Sequence, residues 1–370
     1  MLEVKNLDIE EACIFSDIHW GKNKDNVQKL QQNSDLIDWI ISIYKGDNLF
    51  FLGDWFDSRN SVNVHTFNVA CENLEKLAAN YKNIYMVVGN HDSYFKHSID
   101  VNSVKVFSKI PNVHAIQKNT LLRLKNGRTI LLVPWDGLVA DKFPEEKPDY
   151  IMGHLELGGL KLNGKATDGE YTVTSVIEQA TEAVFVGHYH TRAEKTYTNG
   201  KLYMVGCPRQ LDWGDYANDK GIYILKTNTG ETQYIKNDVS PEYVKIFWSE
   251  LKAGKKIDKN LIEGNYVRFI IDEKYDYEKV VGVMEKTRQL GPLKVDYDIL
   301  KSIKNLNNIN QNLDLSKEDL NVQSLLFYIH KYIDKYDLST IDREIDKNHL
   351  KSMIENYYNN PTTSDSNERN

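Results

Sequence analysis

The sequence predicts an α/β protein in which layered sheets are flanked by helices. From residue 1 to about residue 240, short apolar runs of the kind that form strands alternate with segments of helical spacing. Two hairpins are predicted around Asn126-Gly127 and Asn199-Gly200, because Asn-Gly supplies the positive φ angles of a tight turn. Sheets with this mixture of hairpins and intervening helices form layers, with helices covering the sheet faces.

Strands are predicted from four apolar runs with the same ending. The runs NLFFLGD, NIYMVVGN, DYIMGH and AVFVGH each finish in glycine followed by a polar residue, as buried strands do where they emerge into loops. The first long helix is predicted between an N-cap at Asn26 and a stop at Gly46. Its apolar positions recur at helical spacing, at Leu30, Ile37, Ile40 and Ile41.

Beyond Ser240-Pro241 the pattern changes, so residues 1–240 are predicted to form the large domain. A strand, a helix and a strand follow, which predicts a small α/β capping domain over residues 241–302. An Asn-rich linker (303–317), a helical segment (318–358) and a disordered tail (359–370) complete the chain. The amphipathic helices of the helical segment either fold back on the protein or dock on another protein.

Composition and charge restrict the function class. With 41% hydrophobic and 27% charged residues, no apolar run approaches the roughly 18 residues of a membrane helix. Three cysteines without paired spacing, and an N-terminus without a signal pattern, predict reduced thiols and a cytoplasmic location. The net charge of −7 is unusual for a phosphate-binding protein, so nucleic-acid binding would depend on local patches, metal ions or a partner. Candidate patches contain Lys22, Lys24, residues 118–128, Arg192 and Lys195, although solvated surface charge is the commoner explanation of any one of them.

Two pairs of polar side chains follow predicted strands at a spacing of two residues. Asp17 and His19 close the stretch CIFSDIH, and His188 and His190 follow AVFVG. Residues i and i+2 at the end of a strand point to the same side, so each pair can converge on one point. Asp17 and His19 alone would be explained more often by capping or hydrogen bonding. Two histidines at this spacing point more strongly to a metal.

Three further predicted strand ends carry groups of the same kind, and each group follows a glycine. They are Asp54, Asn90 with His91, and His154. Carboxylate, imidazole and amide ligands without thiolate suit Mn²⁺, Fe²⁺, Zn²⁺ or Mg²⁺ rather than a structural zinc site. The full set exceeds what one ion takes from protein, so two ions that share a bridging carboxylate are predicted. Such a pair, about 3.5–4 Å apart, clamps a phosphoryl group and generates hydroxide near neutral pH. The seven candidate ligands are Asp17, His19, Asp54, Asn90, His154, His188 and His190.

The motifs Asp-x-His, GDWFD, GNHD, GH and GHYH, in this order, resemble those of the calcineurin-like metallophosphoesterase superfamily. The resemblance implies a four-layer sandwich. It also implies that one metal is held by Asp17, His19 and His190, and the other by Asn90, His154 and His188, with Asp54 bridging the two. His91 would not bind metal and would act near the scissile phosphate as a general acid or charge stabiliser.

Within this superfamily the chain is most similar to the SbcD-type, or Mre-type, nuclease subunits of DNA repair, and above all to their bacteriophage relatives. The stretches GDWFDSRNSV, LLVPWDG and GCPRQLDWGD carry this resemblance, although Cys207 stands where relatives have serine. It implies exonuclease activity on DNA ends, single-strand endonuclease activity and a preference for manganese, in repair, recombination and replication. It further implies a homodimer and an SbcC-type coiled-coil ATPase partner bound by the C-terminal helices.

Several other residues near the motifs are candidates for a role. Some relatives carry histidine at the position of Asp57, and others carry the aspartate. This carboxylate either pairs with His91, which would favour the imidazolium form that a general acid needs, or caps its loop. Candidate DNA contacts are Trp20, Lys22, Arg59, Tyr94, Arg192 and Arg209. Packing around the site would explain the two aromatic residues equally well.

The sequence therefore predicts a nuclease that hydrolyses DNA phosphodiester bonds with a metal-bridging hydroxide. Two alternatives stay open. GDWFDSR also resembles the Gly-Asp-x-x-Asp-Arg signature of protein phosphatases, although Ser58 displaces the arginine; a protein or small-molecule phosphatase is therefore the first alternative. A scaffold that binds DNA ends or a partner without catalysis is the second.

Overall fold

The computed structural model of the 370-residue chain describes residues 2–22, 26–135, 146–162, 165–169, 171–300, 333 and 346–359. The chain divides into two compact units, with the boundary between Ile299 and Leu300. The first unit contains every candidate site residue. The predicted linker (303–317) and most of the predicted helical segment lie outside the described residues, so those boundaries stay predictions.

The strands are β1 Leu2–Leu7, β2 Glu11–Phe15, β3 Asn48–Phe51, β4 Asn83–Val87, β5 Ser93–Phe95, β6 Ser98–Asn102, β7 Val113–Ile116, β8 Thr120–Leu124, β9 Thr129–Val133, β10 Tyr150–His154, β11 Leu157–Gly158, β12 Lys161–Leu162, β13 Lys165–Ala166, β14 Tyr171–Thr172, β15 Ala183–Gly187, β16 Ala193–Tyr197, β17 Gly200–Met204, β18 Gly221–Lys226, β19 Thr232–Lys236, β20 Tyr243–Phe247, β21 Tyr266–Ile271 and β22 Lys294–Ile299. The helices are α1 Val27–Ile43, α2 Val64–Asn80, α3 Val173–Ile177, α4 Trp248–Lys252, α5 Lys259–Ile262, α6 Tyr277–Arg288 and α7 Lys347–Asn359.

The first unit contains two large sheets. One has six strands in the order β19-β18-β2-β3-β4-β7, and the other has seven in the order β1-β8-β9-β10-β15-β17-β16. Strands β2, β3, β4 and β7 run parallel to one another, as do β9, β10, β15 and β17. The carboxyl ends of each parallel set therefore lie along one edge of its sheet.

The two sheets pack face to face between layers of helix. Ile14 of the six-stranded sheet and Phe185 of the seven-stranded sheet belong to the apolar core between them. Leu74 of α2 packs on the outer face of the six-stranded sheet, and Val176 of α3 packs on the outer face of the other. The layers are therefore helix, sheet, sheet and helix, which confirms the predicted four-layer α/β sandwich.

Local signals in the sequence placed the elements well. Asn26 caps α1, since its side chain accepts a hydrogen bond from the Lys29 N–H at 3.2 Å. The predicted hairpins are β8–β9 and β16–β17, both antiparallel. Gly127 has a φ of 85° in the first of these turns, a value that favours glycine.

A third, smaller sheet follows the sandwich. Its strands β20, β21 and β22 are parallel, and Val280 and Met284 of α6 pack on Phe269 in a core of its own. The sequence predicted β21, α6 and β22 but not β20. This sheet contacts α1, because Lys29 Nζ donates to the Tyr243 hydroxyl at 2.7 Å and lies 3.8 Å from the centre of the Tyr266 ring.

Among the described residues, no helix combines the length and the apolar character needed to cross a membrane. The second unit is described at α7 and at Ile333. Most of the predicted helical segment (318–358), and the predicted tail (359–370) apart from Asn359, lie outside the described residues.

Candidate metal centre

Five strand ends from both sheets converge on one site. Asp17 and His19 follow β2, Asp54 follows β3, and Asn90 and His91 follow β4. In the other sheet His154 is the last residue of β10, and His188 and His190 follow β15. The site thus forms at the carboxyl edge of parallel strands, where ligands commonly bind in α/β proteins.

Four of these residues have a left-handed backbone. The φ angles are 57° for Asp17, 53° for His19, 61° for Asp54 and 79° for His188. Each such residue costs roughly 1–2 kcal/mol, and clusters of them persist where the surrounding structure enforces them, commonly at functional sites. The strained backbone therefore indicates a functional site at this edge of the sandwich, where the direction of the side chains is maintained at a cost in backbone energy.

Close packing explains two of the glycines that precede the site residues. A Cβ atom on Gly53, whose φ is 96°, would overlap the imidazole of His154. One on Gly89 would overlap the carboxylate of Asp54. These glycines allow the strand ends to approach until the side chains of both sheets share one site.

The first group of donor atoms surrounds the His19 ring. Its Nε2 lies 3.0 Å from His190 Nε2, 3.7 Å from Asp17 Oδ1 and 3.6 Å from Asp54 Oδ2. Asp17 and His19 are buried. The other Asp17 oxygen accepts a hydrogen bond from the His188 N–H at 3.1 Å, which fixes the orientation of this carboxylate.

The second group surrounds the His154 ring. Its Nδ1 donates to the Leu52 carbonyl at 2.7 Å, which leaves Nε2 to face the site. That Nε2 lies 2.7 Å from Asn90 Oδ1 and 3.4 Å from Asp54 Oδ2, and Asn90 Oδ1 lies 3.0 Å from His188 Nδ1. Because Asp54 Oδ2 faces both His19 and His154, the two groups meet at this atom.

The residues present fit a pair of divalent cations. Nitrogen and oxygen atoms with lone pairs converge in each group, and such atoms repel unless a proton or a cation lies between them. Asp17 Oδ1 is buried and accepts no hydrogen bond within the described part of the chain. The donor set of carboxylate, imidazole and amide oxygen suits first-row divalent ions.

The electrostatics of the site also attract positive charge. Burial opposes charging of His19, but contacts with Asp17 and Asp57 outweigh it and raise its pKa to about 10. Burial likewise opposes charging of His154, but the charge of Asp54 raises its pKa to about 9. Burial and the nearby His154 lower the pKa of His188 to about 4. Divalent ions that bind here would displace protons from the two basic imidazoles.

Asp57 lies beside both His91 and His19. His91 Nδ1 lies 2.6 Å from the backbone carbonyl of Asp57, while the Asp57 carboxylate lies 3.3 Å from His19 Nδ1. A carboxylate oxygen of Asp57 also lies within 4.8 Å of a His91 ring nitrogen, so the predicted pairing of this side chain with His91 stays a prediction. His91 is also fixed through its backbone, whose N–H donates to Asp54 Oδ1 at 2.8 Å.

Two predicted DNA contacts are wrong because their side chains are buried. Trp20 is 1% exposed and packs against Trp55, with ring centres 5.9 Å apart. Arg209 is 3% exposed, and its Nε donates to Asn33 Oδ1 at 2.6 Å. Neither side chain offers surface to a nucleic acid.

The other four candidate contacts retain exposed surface. Tyr94 is 53% exposed, and Arg59 Nη2 lies 3.0 Å from the outward-facing atom of the Asn90 amide. Lys22 Nζ lies 3.4 Å from Asp212 Oδ2. Arg192 donates to Glu194 at 2.7 Å and to a tyrosine hydroxyl at 2.9 Å. Their contacts with DNA stay predictions.

Asp92 is a site residue that the sequence reasoning missed. Its carboxylate accepts hydrogen bonds from the backbone N–H groups of Asp54 at 2.9 Å, Phe56 at 3.0 Å and Gly89 at 3.0 Å. It therefore ties the loop after β3 to the loop after β4. The sequence signal that could have identified Asp92 is its position in the GNHD motif, in which we assigned roles only to Asn90 and His91.

Two further features behind the centre had no assigned role. The Trp135 ring lies 5.2 Å from the His188 ring and 5.9 Å from the His154 ring. Lys220 is buried, pairs with Asp215 at 2.6 Å and donates to the His190 carbonyl. Nothing in the spacing of Lys220 and Asp215 indicates that they lie beside a histidine some thirty residues earlier in the chain.

Comparison with known families supports this geometry. The sequence model of the calcineurin-like phosphoesterase family matches residues 12–192, a range that contains all seven converging side chains. Residues 12–192 form a calcineurin-like metallophosphoesterase domain. The predicted calcineurin-like superfamily is thereby confirmed for this domain, and the match supports an enzyme of the metal-dependent phosphoesterase class.

One curated relative is similar well beyond the phosphoesterase domain. Exonuclease subunit 1 of Enterobacteria phage T4 is 26% identical over 307 residues, which cover 79% of this chain and 82% of that protein. The aligned length exceeds the phosphoesterase domain, so the similarity extends into the remainder of the chain.

Two solved structures illustrate a distant similarity. Phosphopantetheinyl hydrolase from Mycobacterium tuberculosis is 12% identical, with a TM-score of 0.34 over 62% of this chain and 96% of that one. Nuclease MPE from Pseudomonas putida is 14% identical, with a TM-score of 0.30 over 60% of this chain and 87% of that one. TM-scores this low do not establish a shared fold, so the assignment of the phosphoesterase domain depends on the family match and the site geometry.

Proposed function

We propose that this chain is the nuclease subunit of a complex that processes DNA ends in repair and recombination. The observation that carries the proposal is the convergence of seven donor side chains in two groups that share Asp54 Oδ2. The similarity to a phage exonuclease subunit over most of both chains supports DNA as the substrate. A non-catalytic scaffold would not require a complete set of metal-binding side chains or the strained backbone that positions them.

Two divalent ions would occupy the centre, with Mn²⁺ expected first and Mg²⁺, Fe²⁺ or Zn²⁺ as alternatives. Asp17, His19 and His190 would hold one ion, and Asn90, His154 and His188 the other, with Asp54 shared. When bound, such ions supply a nucleophile at neutral pH and neutralise the charge that develops on the phosphoryl oxygens.

His91 would act on the leaving group. Its Nδ1 donates to the Asp57 carbonyl, so Nε2 is the ring atom left to face a substrate. A proton on Nε2 would be donated to the 3′-oxygen or 5′-oxygen as the phosphodiester bond breaks, a contribution worth typically 10²–10⁴-fold in rate. The hydrogen bonds at Nδ1 and at the backbone N–H would keep the ring oriented during this transfer.

The proposed partners are DNA, a second copy of the chain and an SbcC-type ATPase bound through residues 318–358, all in a host cytoplasm. The net charge of −7 supports a division of labour in which the partner contributes much of the DNA affinity. The phage relative is itself described as a subunit, which is consistent with an assembly.

The test is Mn²⁺-dependent degradation of end-labelled DNA by the purified chain, beside a phosphomonoester substrate. Asp54→Asn keeps the shape of the side chain and is expected to abolish degradation. Asp35→Asn, an exposed position on α1, is the matched control and should behave as wild type. Degradation that Asp54→Asn removes, with little phosphomonoester turnover, would support the nuclease.

Either of two other results would contradict the proposal. Phosphomonoester turnover with intact DNA would favour the phosphatase. Inactivity on both substrates, when it persists after the ATPase partner is added, would favour the scaffold.

A further inference from the structure

A cavity of about 260 Å³ opens beside the metal centre, between two loops that the proposed chemistry does not use. One wall is the loop of residues 58–62, and the other is the β5–β6 hairpin with the residue that follows it. Its lining includes Ser58, Arg59, Tyr94, Val101, Asn102 and Ser103. This volume is slightly below the range for small-molecule pockets, which is roughly 300–1,000 Å³.

The cavity shares residues with the metal centre. Asp92 lines it and also accepts hydrogen bonds from the backbone of Asp54 and Gly89 at the ends of β3 and β4. Arg59 lines it and places Nη2 3.0 Å from the side-chain amide of Asn90. A group bound in the cavity would therefore be adjacent to a phosphate held at the centre.

The charge and the exposed surface of the cavity suit a nucleotide, with its phosphate on a cation and its base on an aromatic ring. Arg59 supplies a cation, and a guanidinium matches the oxygens of a phosphate. The acid in the lining, Asp92, is buried and already accepts three backbone hydrogen bonds, so it does not need a ligand. The Tyr94 ring is 53% exposed, and an exposed aromatic ring beside a phosphate contact is a stacking surface for a base.

We propose that this cavity binds the unpaired base of the nucleotide next to the cleaved phosphodiester. Tyr94 stacks on the base, Arg59 contacts the flanking phosphate, and the serine and asparagine groups of the lining reach the edge of the base. The inference rests on the proposed nuclease function and specifies its substrate as a single strand or a frayed end. The cavity offers one exposed aromatic ring and one cation, which match a single base and its flanking phosphate.

The test compares single-stranded oligonucleotides that contain one cleavable linkage, flanked by a normal nucleotide or by an abasic one. Stacking on one aromatic side chain is worth about 1–3 kcal/mol, so Tyr94→Leu should lower kcat/KM for the normal oligonucleotide roughly 5- to 150-fold. The abasic oligonucleotide should be cleaved poorly by wild type and equally poorly by Tyr94→Leu. Tyr94→Phe keeps the ring and should restore cleavage.

Tyr297→Leu is the matched control, because Tyr297 is 41% exposed on β22 and does not line the cavity, whereas Phe95 packs on the Tyr94 ring. It should cleave the normal oligonucleotide as wild type does. Equal losses for Tyr94→Leu on both oligonucleotides, or no loss on either, would overturn the inference and leave the nuclease intact. Hydrolysis of bis(p-nitrophenyl) phosphate by wild type without cleavage of any oligonucleotide would overturn the nuclease itself.

Discussion

At the scale of single residues, Asp57 serves two histidines through different atoms. Its carbonyl contacts His91 Nδ1 at 2.6 Å, and its carboxylate lies 3.3 Å from His19 Nδ1. A carboxylate behind a metal-binding imidazole orients the ring and makes it a stronger ligand. The side chain of Asp57 is therefore expected to act on metal binding, while its backbone acts on His91.

Asp57→Ala should weaken Mn²⁺ binding by roughly 10- to 100-fold, as the loss of such partners typically does. The hydrogen bond to His91 should survive, because the backbone carbonyl remains. The measurement is a titration of Mn²⁺ followed by electron paramagnetic resonance without DNA, with Asp57→Asn as the variant that keeps an acceptor oxygen. Unchanged Mn²⁺ affinity together with a large fall in kcat would instead show that Asp57 acts through His91.

A comparison of substitutions at Gly53 and Gly127 distinguishes the cost of backbone strain from the cost of crowding at the metal centre. Both have positive φ angles, 96° and 85°, but a Cβ on Gly127 meets nothing within 4 Å, whereas one on Gly53 overlaps His154. Gly127→Ala should cost roughly 1–2 kcal/mol in the free energy of unfolding. Gly53→Ala should cost more and should also weaken Mn²⁺ binding, as measured by urea unfolding and metal titration. Equal costs with normal metal binding would mean that His154 can move aside freely.

At the scale of elements, the site depends on how the strand ends are tied together. Asp92 bonds to the loops after β3 and β4 and is 2% exposed. In this arrangement one carboxylate replaces the ladder hydrogen bonds that the strands lose where they end. The positions of Asp54 and Asn90 are thus set jointly.

Asp92→Asn should lower the free energy of unfolding by about 1–3 kcal/mol, because an amide N–H₂ would face a buried backbone donor and leave it unpaired. Urea unfolding measures this, with Asp100→Asn on the exposed side of the β5–β6 hairpin as control. Wild-type stability of Asp92→Asn would contradict the assigned role of this carboxylate.

The sequence predicted elements where a local signal was strong. The cap of α1 at Asn26, the Asn-Gly hairpins and the strand ends rich in glycine all lie where expected. Strand β20 was missed because Tyr243–Phe247 is a short run after Pro241 whose pairing with β21 is set by tertiary contacts. Likewise, the direction of the Asp57 side chain depends on a loop conformation that spacing does not encode.

At the scale of the whole molecule, the centre requires both sheets of the sandwich. The six-stranded sheet supplies Asp17, His19, Asp54 and Asn90, and the seven-stranded sheet supplies His154, His188 and His190. The sequence could predict the set of side chains because each lies at the end of a strand or just after it. It could not predict that Trp20 and Arg209 would be buried, since their burial results from packing between elements distant in the chain.

The central claim is that these seven side chains hold two metal ions that share Asp54. The most direct measurement is the stoichiometry of Mn²⁺ binding to the purified chain, without DNA, by equilibrium titration. Wild type should bind two ions per chain, and Asp54→Asn should lose tight binding of at least one of them. A single tight site in wild type, or two tight sites that Asp54→Asn leaves unchanged, would contradict the shared two-metal centre.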